Sequence, residues 1–183
     1  AEAVAQCVDE LADAGIGHAQ MHVTSQVGTQ WTDAFFSRAT GRRTHIFSRG
    51  ASDVLTPDHF DFSSTTARYL HLGLPGVHKL MDAPWQGDAN GWVSVLKKAR
   101  AAGLKTNLEL ASIDPQELAE LVRPCLPHLD LIIVNDGEIG ALAGQQLRRL
   151  AGDPRARGTQ RMADGQGAAI KVDLLGRDFE IGN

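Results

Sequence analysis

The chain has 183 residues, of which 43% are hydrophobic, so it is long enough to bury one substantial core. Its formal net charge is −4, which argues against a nucleic-acid-binding protein because such proteins need a clustered positive field. No apolar run is long enough to span a membrane, and the two cysteines form neither a CxxC motif nor a disulfide framework. We therefore expect a cytoplasmic protein that binds neither nucleic acid nor a membrane.

The first third of the chain predicts a helix followed by a β-hairpin. Apolar residues recur at helical spacing over residues 4–14, and two glycines just beyond them end the pattern. Two β-like runs follow at residues 29–37 and 44–49, joined by a turn at residues 39–43.

The middle of the chain predicts alternating strands and helices. The strands are expected at residues 67–73, 105–111 and 130–134, and the helices at residues 89–102 and 114–124. The last of these strands is continuously apolar and rich in β-branched residues, which is typical of a parallel strand buried on both faces. Such alternation predicts an α/β fold in which helices cover the faces of a parallel sheet.

The end of the chain is less regular. It predicts a short helix at residues 145–151 and a polar loop at residues 152–165. Strand-like runs at residues 168–174 and 177–181 then predict a second hairpin.

Asn135 and Glu138 stand where the last strand of the sheet gives way to a helix at residues 139–143. Open α/β sheets bind their ligands at the carboxyl ends of the strands. An amide and a carboxylate at that place can hold a hydrated Mg²⁺ and, through it, phosphate oxygens. The structural alternative is that Asn135 caps the helix and Glu138 supplies the carboxylate of a capping box. This segment alone leaves both interpretations open.

The order of a hairpin, a β–α–β–α–β run and Asn-x-x-Glu resembles the ribokinase-like, or PfkB-type, carbohydrate kinases. The resemblance is carried by GRRTHIFSRGA at residues 41–51, LHLG at residues 70–73, AAGLKT at residues 101–106 and NDGE at residues 135–138. It implies a Rossmann-like, ribokinase-type parallel-sheet core. It also implies a single domain over residues 1–183, incomplete at both ends, with a small β lid inserted at about residues 23–52.

The same resemblance implies a kinase that transfers a phosphoryl group from ATP to a sugar or sugar acid with the help of Mg²⁺. Asn135 and Glu138 would position Mg²⁺ and the phosphates of ATP. Glu109 would lie near the transferred phosphate, at a position where the family often has an aspartate.

The lid of this family lies over the sugar and often lines a dimer contact. By resemblance, we expect Thr29, Arg49, Gly50 and Ala51 to bind the sugar and the lid to form a homodimer. Ser52 stands where family members often have an asparagine. The lid residues Trp31, Phe35 and Phe36 would stack either on the sugar or on a partner subunit.

The family's catalytic base lies in a Gly-Ala-Gly-Asp segment that this sequence does not contain, so no residue is assigned as the base. We expect a protein made only of these residues to be inactive. Residues 158–165 are also too polar for a further buried strand that the family usually has. The alternative function is therefore a non-catalytic sugar-binding or dimerisation module with a kinase-like core.

Four other residues are of types that can carry chemistry. His22 lies four residues after His18, but both are expected in an extended segment without a third ligand, so no metal site is predicted. Cys125 lies among prolines without a histidine partner and is not expected to be a nucleophile. His71, inside a predicted strand, is interpreted as a histidine of the core or of the site rim.

Overall fold

The computed structural model describes residues 2–111, 113–143, 170–174 and 177–181. These residues form a three-stranded parallel sheet, two antiparallel hairpins and a set of helices. The α/β fold class predicted from the sequence is therefore confirmed.

The helices are α1 (Glu2–Asp13), α2 (Lys79–Asp82), α3 (Gly91–Ala101), α4 (Pro115–Val122) and α5 (Asp136–Ala143). The strands are β1 (Trp31–Phe36), β2 (Arg43–Ser48), β3 (Tyr69–Leu72), β4 (Lys105–Glu109), β5 (Leu131–Ile133), β6 (Ile170–Leu174) and β7 (Arg177–Ile181). Short 3₁₀ helices cover Gly50–Val54, Pro57–His59 and Arg123–His128. The sequence pattern had not indicated α2 or the 3₁₀ helices at Gly50–Val54 and Pro57–His59, which are too short to show a period.

The parallel sheet has the strand order β3-β4-β5, with β4 at its centre. Leu72 of β3 is paired with Leu108 of β4, and Leu108 is paired with Ile132 of β5. All three strands therefore end at the same edge of the sheet, which is where parallel α/β sheets bind ligands.

Local capping contacts begin and end the helices that connect these strands. The Asn90 side chain accepts a hydrogen bond from the Val93 N–H at the start of α3 and donates one to the Leu121 carbonyl of α4. The Asp114 carboxylate accepts from two backbone N–H groups at the start of α4. Helix α3 ends before Gly103, whose φ of +84° is readily adopted only by glycine.

The core lies between one face of the parallel sheet and the helices α3 and α4. Trp92 and Val95 of α3 and Val122 of α4 are fully buried there. They form one cluster with buried side chains from all three strands, among them Leu72, Leu108 and Ile132.

The prediction that β5 is buried on both faces is wrong for the described residues. Ile132 is 2% exposed, but its neighbours Leu131 and Ile133 are 46% and 51% exposed. The reason is that α3 and α4, which connect the three strands, pack in the same core cluster and so cover the same face. The opposite face of the sheet is largely uncovered in the part of the chain that the structure describes, and Asn107 is the one residue of the three strands that is buried on it.

The two hairpins match the sequence prediction. Strands β1 and β2 pair antiparallel, from Trp31 opposite Ser48 to Phe36 opposite Arg43. Strands β6 and β7 also pair antiparallel, and their turn lies outside the described residues. The helix predicted at residues 145–151 and the loop predicted at residues 152–165 lie outside the described residues as well. Among the helices that the structure does describe, none is long and apolar enough to cross a membrane.

Candidate functional site

Glu109, Asn135 and Glu138 lie at the carboxyl edge of the parallel sheet. Glu109 is the last residue of β4 and is paired with Ile133, two residues before Asn135. Glu138 follows in the first turn of α5. The structure therefore brings to one edge the three residues that the sequence placed near phosphate.

Asn135 and Glu138 form a capping box. The Asn135 N–H donates to Glu138 Oε2 over 3.0 Å, and the Glu138 N–H donates to Asn135 Oδ1 over 3.0 Å. Asn135 Nδ2 also donates to Glu138 Oε1 over 2.7 Å. Glu138 is only 8% exposed, so these bonds hold its carboxylate in one place. The capping geometry that the sequence left open is thus present, and it fixes the same carboxylate that a phosphate site would use.

The chemistry of these groups suits Mg²⁺ bound through water. Carboxylate and amide oxygens are hard ligands, which Mg²⁺ prefers. Among the described residues, no cluster of three or more His, Cys, Asp or Glu could hold a metal ion. Mg²⁺ usually keeps several waters and binds through one or two carboxylates together with substrate phosphates, so it does not need such a cluster. The residues therefore fit a hydrated ion carried by a nucleotide.

Glu109 has a histidine partner that sequence reasoning did not link to it. His71 Nε2 lies 3.0 Å from Glu109 Oε2, and Asn107 Nδ2 lies 2.6 Å from His71 Nδ1. All three residues lie on the face of the sheet opposite the helices, and His71 is half-exposed, so the interpretation of His71 as a core histidine is wrong. The missed signal was strand register, because His71 of β3 is paired directly with Asn107 of β4.

The residues predicted to bind the sugar come together at the base of the lid. Gly50 has φ +47°, and a Cβ there would lie 2.5 Å from the Gly28 carbonyl oxygen and 2.8 Å from Thr29, so only glycine fits. Arg49 donates to the Gly76 carbonyl, in the loop after β3, over 3.4 Å. Ala51 continues the same 3₁₀ turn. The lid base is therefore tied to the carboxyl edge of the sheet.

Ser52 has a structural role in the position where the family often has an asparagine. It is buried, and its hydroxyl donates to Gln30 Oε1 just before β1. This contact fixes the 3₁₀ turn that carries Arg49, Gly50 and Ala51 against the start of the lid.

A cleft of about 710 Å³ opens beside the lid base. Its lining contains Ala51 and three histidines but no aspartate, glutamate, lysine or arginine; the residues are Gln20, Met21, His22, Val23, Thr24, Gln26, Ala51, Ser52, Val54, Leu55, His59, Phe60 and His78. His22 Nε2 contacts the His59 carbonyl over 2.9 Å, and the two rings meet edge to face. The sequence missed this grouping because its members come from four separate segments.

Cys125 is chemically inert in this structure. It is fully buried, and this burial raises the pKa of its thiol to about 12. The thiolate that a nucleophile needs is therefore not formed at neutral pH, in agreement with the sequence-based expectation.

Comparison with known families identifies the chain. Residues 3–169 match the model of the pfkB family carbohydrate kinases. Because this match spans most of the sequence, the chain belongs to the pfkB family of carbohydrate kinases. A search of curated proteins found no match. The family and the ribokinase-like fold predicted from the sequence are confirmed.

Proposed function

We propose that this protein transfers a phosphoryl group from ATP to a sugar or sugar acid, with Mg²⁺ as its cofactor. The observation that carries the proposal is the arrangement of Glu109, Asn135 and Glu138 at one carboxyl edge of the parallel sheet. We further propose that it works in a reducing cytoplasm, where the free cysteines Cys7 and Cys125 are stable.

Asn135 and Glu138 would hold the metal–nucleotide complex. When bound, Mg²⁺ neutralises charge on the phosphates during in-line transfer. The capping box prevents the Glu138 carboxylate from turning away, since both of its oxygens accept bonds from Asn135. A preorganised carboxylate costs no rearrangement when the nucleotide binds. Glu109 would lie across the edge, near the phosphoryl group being transferred.

The sugar would lie at the base of the lid, against Thr29, Arg49, Gly50 and Ala51. Arg49 supports this placement because it contacts both the lid base and the Gly76 carbonyl at the carboxyl edge of the sheet. A bound sugar there would be close to the phosphate-binding residues, which is what transfer requires. In this proposal the lid is an insertion, at about residues 23–52, in a single α/β domain.

We propose that the lid also forms a homodimer. Both faces of the β1–β2 hairpin are exposed to solvent, and its large apolar side chains are Trp31, Phe35, Phe36, Ile46 and Phe47. An isolated two-stranded hairpin is marginally stable in water, and contiguous exposed apolar groups commonly mark an interaction site. A second lid would cover this surface.

The substitution Glu138→Gln in the full-length protein tests the phosphate role. Glutamine keeps one oxygen that can accept the Asn135 N–H but turns its own N–H group toward Asn135 Nδ2, so the free energy of unfolding should fall by about 1–3 kcal/mol. It removes the carboxylate charge, so turnover should fall about 10–100-fold and the Mg²⁺ concentration needed for half-maximal rate should rise. Kinetics with a panel of sugars, ATP and titrated Mg²⁺ would measure both effects.

Glu138→Ala serves as the comparison because it removes the charge and the cap together. An unchanged turnover and Mg²⁺ requirement in Glu138→Gln, with a larger loss of stability in Glu138→Ala, would mean that Glu138 is a cap and nothing more.

The second candidate function is a non-catalytic sugar-binding or dimerisation module. The observation that favours it is that Asn135 and Glu138 bond to each other, so capping alone accounts for their positions. Thermal stabilisation by a sugar, without consumption of ATP in the full-length protein, would support this candidate over the kinase.

A further inference from the structure

Three polar side chains form a connected row on the uncovered face of the parallel sheet. Asn107 and Glu109 are two residues apart on β4 and therefore point to the same face. His71 of the neighbouring strand β3 lies between them and contacts both, at 2.6 Å from Asn107 Nδ2 and 3.0 Å from Glu109 Oε2.

The direction of hydrogen bonding in this row follows from the chemistry of its members. An ionised Glu109 carboxylate can only accept, so His71 Nε2 must carry the proton. In a neutral imidazole, His71 Nδ1 is then an acceptor, and Asn107 must donate to it through Nδ2. The Glu109 carboxylate thus makes His71 Nε2 a donor, and His71 Nδ1 in turn makes the Asn107 amide a donor.

This direction leaves the amide oxygen of Asn107 unpaired. Asn107 is 8% exposed, and its Oδ1 is buried without a hydrogen-bond partner. Turning the amide over would place Oδ1 against an unprotonated Nδ1, with two acceptors facing each other. With a neutral His71 ring, the bond from Nδ2 therefore costs less than the reversed amide, although one buried acceptor stays unpaired.

We propose that His71 is a positioning residue for Glu109 and that Asn107 selects the Nε2-protonated form of His71. A half-exposed glutamate without a partner would sample several side-chain rotamers, and His71 restricts Glu109 to one of them. This inference rests on the proposed role of Glu109 near the transferred phosphate.

Two substitutions of His71 in the full-length protein test its bond to Glu109 separately from its bond to Asn107. The glutamine in His71→Gln can place an N–H near the position of Nε2 and keep the bond to Glu109. The shorter asparagine in His71→Asn reaches Asn107 but not Glu109. We expect kcat to fall about tenfold in His71→Asn with little change in the KM of the sugar, and to stay within about threefold of wild type in His71→Gln. Tyr69→Phe, on the same strand and face, is the control and should leave both parameters unchanged.

NMR nitrogen chemical shifts of the His71 imidazole give a readout independent of activity. They should report that the neutral ring carries its proton on Nε2, and this preference should weaken in Asn107→Leu. A predominantly Nδ1-protonated ring, or equal turnover in His71→Asn and wild type, would overturn the inference.

The variant Glu109→Gln distinguishes failure of this inference from failure of the proposed function. Slow turnover in Glu109→Gln together with normal turnover in His71→Asn would overturn the positioning role alone. Normal turnover in Glu109→Gln would remove Glu109 from the reaction, and the positioning role would fall with it.

Discussion

Large apolar side chains are exposed on the lid hairpin but buried on the helix-covered face of the sheet. Trp92 of α3 is fully buried, whereas Trp31 of β1 is 52% exposed. Phe36 at the tip of the same hairpin is 68% exposed. Burying a large aromatic side chain is a main source of stability, so the two regions differ in what their aromatic residues contribute to the fold.

The covered face is packed entirely by residues of this chain, whereas the lid exposes large apolar side chains, which is the pattern of an interaction surface. Residues of α3, α4 and the three parallel strands complete one another's packing within the chain. The lid has its backbone hydrogen bonds but lacks a covering layer in the described residues. We therefore expect core substitutions to change the free energy of unfolding, and lid substitutions to change binding and association.

The largest effect is expected from Trp92→Ala. The indole is fully buried and its Nε1–H donates to Asp82 over 2.8 Å, so removal leaves a cavity and takes one of its donors away from Asp82. The free energy of unfolding should fall by about 3–5 kcal/mol in urea denaturation of the full-length protein. Trp92→Phe, which keeps most of the packing, should cost clearly less. Equal losses in the two variants would show that the hydrogen bond and not the packing dominates.

Asp82→Asn should have the next largest effect. The Asp82 carboxylate accepts from the Gly76 N–H, the His78 N–H and the Trp92 indole, and so fixes the loop after β3 to the core. An asparagine amide would turn an N–H group toward these donors, which should cost about 1–3 kcal/mol of unfolding free energy. Because this loop also meets Arg49, sugar-dependent thermal stabilisation should decrease. Wild-type stability in Asp82→Asn would contradict the view that these three hydrogen bonds fix the loop after β3 to the core.

Asp130→Asn should give a smaller, pH-dependent effect. Burial opposes ionisation of Asp130, but hydrogen bonds from the Thr106 N–H and hydroxyl, together with Arg100, hold the pKa of this carboxyl below its ordinary value. Ionised Asp130 therefore stabilises the fold above the ordinary aspartate pKa of about 4, and this contribution is lost as the pH falls through the lower folded-state pKa. Because the group is partly exposed, the loss in Asp130→Asn at pH 7 should be below about 1 kcal/mol.

Denaturation of wild type and Asp130→Asn at a series of pH values checks this sign. The difference between the two proteins should be constant near neutral pH and shrink below about pH 4. A difference that grows on acidification would contradict the assigned direction of the pKa shift.

The smallest effect on folding is expected from Trp31→Ala. Because Trp31 is half-exposed, the free energy of unfolding of the dilute protein should change by less than about 0.5 kcal/mol. Self-association measured by sedimentation should weaken by about tenfold or more, since buried tryptophans often dominate interfaces. A loss of stability as large as that of Trp92→Ala would place the lid within the core and remove the contrast between the two regions.

Much of the local structure could be predicted from short stretches of sequence. Asp114 followed by proline predicted the start of α4, since a cap involves only backbone groups within three residues. The capping box of Asn135 and Glu138 has the same local origin. The proposed phosphate role of this pair depends instead on its place at the carboxyl end of a parallel strand.

Contacts between distant segments could not be predicted in this way. The bond between His71 and Asn107 joins residues on two strands and depends on their register. The cleft histidines His22, His59 and His78 lie in separate segments of the chain, whose relative positions no periodic pattern specifies. The sequence alone relates His22 only to its near neighbour His18.

The sequence by itself determined the strands and the α-helices of eight or more residues, that the sheet is parallel, and which residues stand at its carboxyl edge. Periodicity, helix capping and the alternation of strands and helices depend on residues that are near in sequence, so they can be recognised along the chain. Only the tertiary structure decided which face of each strand is covered, as Leu131 and Ile133 show, and which side chains meet across the sheet. Burial depends on where the connecting helices pack, and an apolar strand carries the same residues whether one or both of its faces are covered.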